Sequence, residues 1–135
     1  MSQPGSPADV VVQGRPTGPV VAALTAVLCG AFALLVADKL SNGSKAVEGR
    51  VYALGEWMPG ATGTGAAGSI GPYSGKETIA LVVWCLSWVI LHAALRNTSP
   101  SVAKSLYAFL IGLAVITVNF IDPIADWTFA FVKWF

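Results

Sequence analysis

Three uncharged stretches organise the chain. From Pro19 to Ala37 no residue is charged, a run of 19 that spans about 28 Å as a helix, close to the hydrocarbon thickness of a bilayer. Pro19 suits a first helical turn, where its missing N–H costs nothing. Asp38, Lys39 and then Asn42-Gly43 supply the stop. The run is too long for a secretory signal, and the preceding tail has only Arg15 as a basic start, so the segment reads as a retained span.

The second span opens at Ser74-Gly75-Lys76-Glu77, a capping-box spacing, and closes at Arg96 and Asn97. The third begins at Thr98-Ser99-Pro100, with Ser99 expected as N-cap and Lys104 free to snorkel, and ends at Asp122-Pro123. The short link between these two spans predicts an antiparallel hairpin. Between the first and second spans, Val47, Val51, Leu54 and Met58 recur at helical spacing among Lys45, Glu48, Arg50 and Glu56. That is a short amphipathic helix, weakened by Gly49 and Gly55. After Pro123 the aromatic residues Trp127, Phe129, Phe131, Trp134 and Phe135 suit headgroup depth.

The pattern therefore predicts an all-α membrane protein with three transmembrane helices, over about 19–38, 77–96 and 100–121. One interfacial amphipathic helix and an aromatic C-terminal interfacial segment complete it. An extended polar tail, 1–17, precedes a single transmembrane domain, 18–135, with an extramembrane loop over 39–76 and an interfacial tail over 123–135. Trp57, Trp127, Trp134, Lys104 and Arg96 are the expected interfacial anchors.

Composition agrees with this pattern. Of 135 residues, 55% are hydrophobic and 11% charged, against about 25% charged in soluble domains. Mean hydropathy is +0.67. A net charge of +1 offers a polyanion little, so nucleic acid is not an expected partner. Topology is less marked. The N-terminal tail and the 96–104 turn share Arg15, Arg96 and Lys104 against Asp9, whereas the long loop holds basic and acidic residues in equal number. Charge density favours a cytoplasmic N-terminus and raw counts the reverse. A bacterial inner or photosynthetic membrane is the expected location.

Motifs that resemble chemistry fail on context. The stretch 63–68 matches G-x-G-x-x-G, yet it lacks the strand before it and the helix opening at it that a dinucleotide site requires. The segment 71–77 has three residues between its glycines and Glu77 after the lysine, so it is not a P-loop. Asn42-Gly43-Ser44 and Asn97-Thr98-Ser99 are formal glycosylation sequons that hug helix ends. Cys29 and Cys85 lie in separate apolar runs and read as packing residues. Carboxylates fall only at the interfaces, and with a single histidine no nucleophile–base–orienter set can be drawn, so no enzyme is expected.

That histidine, His92, lies about one turn inside the Arg96 end of the second span, on a face with Thr78, Leu81, Cys85, Trp88 and Val89. A polar ring within a membrane helix is a functional candidate. Three roles fit it: a hydrogen bond to a neighbouring helix or headgroup, an axial ligand to a tetrapyrrole, or part of a quinone or proton site. One imidazole suffices for a (bacterio)chlorophyll, whereas a bis-histidine haem would have to be shared between chains.

Small residues mark helix contacts. Ala22, Ala26, Gly30, Ala33 and Ala37 form a stripe along the first span; Ser105, Ala108 and Gly112 form another on the third, extended by the amide of Asn119. The stripes can be satisfied within the chain or by another subunit. Together these features suggest a small accessory subunit of a larger bioenergetic membrane complex, photosynthetic or respiratory, contacting other integral membrane subunits, lipids or pigments. A cofactor-carrying subunit with His92 as ligand is the alternative, and a homo-oligomeric pore lined by Thr117 and Asn119 is a further one.

Overall fold

The structure is a computed structural model, described for residues 15–62, 70–71 and 73–121. Among the described residues there are four helices and no strand: α1 (Gly18–Gly43), α2 (Lys45–Gly55), α3 (Tyr73–Leu95) and α4 (Val102–Asn119). Three of them, α1, α3 and α4, are long and apolar enough to cross a bilayer. The chain is a multi-pass membrane protein. The expected aromatic tail, with Trp127 and Trp134, and the stretch 63–68 lie outside the described residues.

Helix α1 is the centre of the fold. Its Gly30 lies against Ala80 and Trp84 of α3, and its Gly18 against the Leu95 carbonyl at the far end of that helix. The two helices are therefore antiparallel. Between those contacts Ala22 and Ala26 are fully buried, and Ala37 nearly so further along. Ala33 is half-buried. A stripe this small lets two backbones meet, which gives dispersion contact where lipid removes any hydrophobic preference for protein over solvent.

On the other flank of α1, Leu28 packs on Gly112 of α4. At about 100° per residue, Leu28 points roughly 160° round the helix from Gly30. Helices α3 and α4 thus sit on opposite sides of α1 and barely touch each other. The expected α3–α4 hairpin is corrected accordingly: the two helices run in opposite directions, but α1 lies between them.

The turn at 96–101 explains this insertion. Gly18 N–H donates to the Thr98 carbonyl at 3.0 Å, and the Thr17 hydroxyl donates to the Pro100 carbonyl at 2.6 Å. An otherwise orphaned N-terminal donor of α1 is satisfied by the turn that joins its two neighbours. The N-cap of α4 is consequently Ser101, whose hydroxyl accepts from Lys104 N–H at 3.4 Å, and not Ser99. Nor does the capping box at Ser74 and Glu77 form. Ser74 lies inside α3, fully buried, and its hydroxyl donates to the Gly71 carbonyl at 3.0 Å.

Helix α2 follows α1 after Ser44, whose extended backbone (φ −150°, ψ 124°) breaks the helical path. Its face differs from the expected one. Val51 is buried, Val47 and Met58 are half-buried, and Leu54 is exposed. The cause is Gly55, which lies directly on Ser74 and Gly75 of α3, while Gly75 lies under the Val51 carbonyl. Contact between these glycines rotates α2 so that Val51, rather than the whole apolar stripe, faces α3.

Gly49 and Gly55 have opposite roles. A Cβ on Gly49 would meet nothing within 4 Å, whereas one on Gly55 would collide with the α3 backbone. Gly49→Ala should therefore stabilise α2 by about 0.5–1 kcal/mol through propensity alone. Gly55→Ala should destabilise the protein by about 1–3 kcal/mol through overpacking. Thermal unfolding of both variants in the same detergent checks the pair; equal shifts of one sign would refute the assigned contact.

Candidate functional site

The charged groups nearest the membrane gather at one end of the α1–α3 pair. Asp38 stands about 30 Å along α1 from Gly18, so it lies at the level where the hydrocarbon ends. Lys76 occupies the first turn of α3, and antiparallel packing brings the two side by side. Lys76 Nζ lies 2.8 Å from Asp38 Oδ1, with side-chain exposures of 7% and 18%. The second carboxylate oxygen accepts from Asn42 Nδ2 at 3.3 Å and has Lys39 Nζ at 3.8 Å. Lys76 Nζ also lies 4.9 Å from the Tyr73 ring centroid, a cation–π arrangement.

This junction is closed by small residues and polar contacts. The Gly55–Gly75 contact brings α2 over the start of α3, where Lys76 is buried. Trp57 Nε1 donates to Thr78 Oγ1 at 3.1 Å, and Thr78 in turn donates to the Ser74 carbonyl at 2.8 Å. Trp57 remains largely exposed, so its ring is at the surface while its N–H is held by α3. By sequence alone Asp38 marks a helix stop and Lys76 part of a helix start, with nothing to join them. The available signal was their placement at facing ends of consecutive antiparallel spans.

His92 lies near the opposite end, on the outer part of α3. Its ring centroid is 5.4 Å from that of Trp88, with an interplanar angle of 35°. His92 is half-buried, while Leu81, Cys85, Trp88 and Val89 around it are exposed. This surface offers one imidazole against an apolar wall. It has no second imidazole, because the chain has only one. Arg96 is exposed one turn beyond, and Lys104 is exposed at the start of α4.

The small-residue positions of α4 separate. Gly112 abuts Leu28, Ser105 is half-buried with its hydroxyl donating to the Ser101 carbonyl, and Ala108 is exposed. Asn119 is buried; Nδ2 donates to the Val115 carbonyl at 2.8 Å, and Oδ1 has no hydrogen-bond partner among the described residues. Polar groups in the spans mostly turn back on their own helices. Thr25 donates to the Val21 carbonyl at 2.9 Å and Thr117 to the Leu113 carbonyl at 2.8 Å. Cys29 is half-buried beside α4, Cys85 is exposed on α3, and both are free thiols. Among the described residues no group of three potential ligands could hold a metal ion.

No family model matches the chain, and no curated protein or solved structure matches it.

The Asp38–Lys76 pair should act as one unit. Lys76→Met leaves the part-buried Asp38 carboxylate with only the more distant Lys39 ammonium at 3.8 Å and should cost about 1–3 kcal/mol, since breaking one side of a largely buried pair exceeds the net worth of the pair. Adding Asp38→Asn should restore most of that loss. Equilibrium unfolding in mixed micelles checks the double-mutant cycle; additive losses would show that the two charges are not coupled.

Proposed function

We propose that the chain is a small, non-catalytic accessory subunit of a larger bioenergetic membrane assembly, where it fills space between larger integral membrane subunits and holds lipids or pigments against them. The observation that carries this reading is the row arrangement α3–α1–α4. None of the apolar window of α3 is buried within the chain, and only 6% of that of α4. Such a row has broad lateral faces and little interior, which suits contact with other helices better than turnover of a substrate.

The aromatic and histidine surface of α3 favours the bioenergetic setting. Trp88 holds the His92 ring on a face otherwise made of exposed apolar side chains, the kind of surface on which a pigment macrocycle or a neighbouring helix can lie. The pore reading has less support, because Thr117 and Asn119 donate along their own helix rather than toward a lumen.

The end that holds Arg15, Arg96 and Lys104, all exposed, is the one we assign to the cytoplasm of a bacterial inner or photosynthetic membrane. Short basic segments flanking spans are retained on that side. The opposite end carries four basic residues, Lys39, Lys45, Arg50 and Lys76, of which Lys76 is paired with Asp38 and Lys45 with Glu48, the latter at 2.7 Å; the assignment rests on the density of unpaired basic residues and not on their number.

Two measurements test these assignments. Native electrophoresis in a mild detergent should find the chain in a high-mass complex and crosslinked to larger subunits through α3; migration as a solitary monomer would overturn the accessory role. An absorption spectrum of the purified complex, repeated for His92→Ala, tests the pigment ligand. Loss or displacement of one visible band is expected if His92 is an axial ligand, and an unchanged spectrum removes it from that role.

A further inference from the structure

Between α1 and α3 a shallow groove opens sideways toward lipid. Its α1 wall is formed by Gly30, Ala31 and Leu34, its α3 wall by Ala80, Leu81 and Trp84, and Glu77 lies at its end. The spacing explains the shape. Positions 77, 80, 81 and 84 fall on one face of α3, and 30, 31 and 34 on one face of α1. The missing side chain of Gly30 lowers the floor between them while Trp84 rises beside it.

Polarity changes along this groove. Glu77 follows Lys76, which the Asp38 pair places at the hydrocarbon boundary. From Glu77 to Trp84 the groove descends about 10 Å along α3 toward the bilayer midplane. The lower part is lined by apolar side chains. At the upper end the Glu77 carboxylate is exposed and makes no ion pair among the described residues. Its neighbour Lys76 cannot neutralise it, because that ammonium is buried on Asp38. An exposed anion at headgroup depth above an apolar trough complements an amphiphile with a cationic head and a hydrocarbon tail.

We propose that this groove is a binding site for a phospholipid with a primary-ammonium headgroup, phosphatidylethanolamine in chemistry, with Glu77 on the ammonium and one acyl chain along Gly30 and Trp84. The carboxylate distinguishes headgroups by hydrogen bonding as well as by charge. A primary ammonium donates N–H groups to a carboxylate in a charge-assisted bond, whereas a trimethylammonium has none to donate. The site is complete within one chain, so the inference does not depend on assembly with larger subunits.

Native mass spectrometry of the full chain tests it, with the protein released from micelles doped with equal amounts of phosphatidylethanolamine and phosphatidylcholine of identical acyl chains. The wild type should retain the ethanolamine lipid about tenfold better. Stepwise N-methylation of the headgroup should lower retention in order. Glu77→Gln, at an exposed position, should bring the preference to within about twofold while helicity by circular dichroism stays unchanged. Glu77→Asp should keep part of it, and Ala31→Trp should reduce retention of both lipids by filling the trough. Equal retention of the two lipids by the wild type overturns the proposal. So does a preference that survives in Glu77→Gln, or retention that Ala31→Trp leaves intact.

Discussion

Everything in this molecule is arranged around the closeness of α1 to α3. In a bilayer, lipid tails are as apolar as leucine, so helices gain little from merely hiding hydrophobic side chains from their surroundings. Contact must come from atoms fitting at van der Waals distance, and small residues make that possible over a long seam. Gly18, Ala22, Ala26 and Gly30 let α1 lie directly on α3 from the Leu95 carbonyl to Trp84. Helix α4 depends on a looser version of the same arrangement, with Gly112 receiving Leu28 from the opposite flank.

The two ends of that seam are closed by different chemistry. At one end neutral hydrogen bonds from Thr17 and Gly18 tie α1 to the 96–101 turn. Helix ends leave backbone donors and acceptors unsatisfied, and joining three termini at one place satisfies some of them without charge. At the other end the closure is ionic, between Asp38 and Lys76, and it is covered by α2. A buried ion pair adds little net stability relative to an apolar pair, but it strongly penalises any misplacement of one partner. A shift of α1 against α3 would therefore separate two largely buried charges, next to the point where α2 meets the start of α3.

The same geometry leaves the outer surfaces available. With α1 in the middle, α3 and α4 each turn a full apolar face outward, and the chain encloses little. That arrangement underlies the reading as a subunit that acts by contact. It also separates two surfaces with different partners in view. The Trp88–His92 face is the one proposed for a pigment or another helix, and the groove ending at Glu77 the one proposed for a lipid headgroup and chain.

Much of the architecture was legible in the residue pattern. Uncharged runs of membrane length mark the spans because each backbone polar group must be satisfied inside its own helix, so length and apolarity suffice to predict α1, α3 and α4. The alanine–glycine stripe on α1 was visible for a similar reason: its residues recur on one helical face regardless of what covers it. Short-range periodicity also placed a helix in the segment of α2. Three features were not readable this way. Which helices are neighbours depends on the path of the 96–101 turn, and a hairpin of consecutive spans gave way once the α1 terminus took the carbonyls of Thr98 and Pro100. Gly55 looked like a helix weakener and became a contact point, because its value lies in what approaches it from α3. Asp38 and Lys76, 38 positions apart, became a pair only through antiparallel docking. Sequence determines each helix through local spacing and hydropathy, whereas partners across helices are decided by three-dimensional packing, in which distance along the chain has no part.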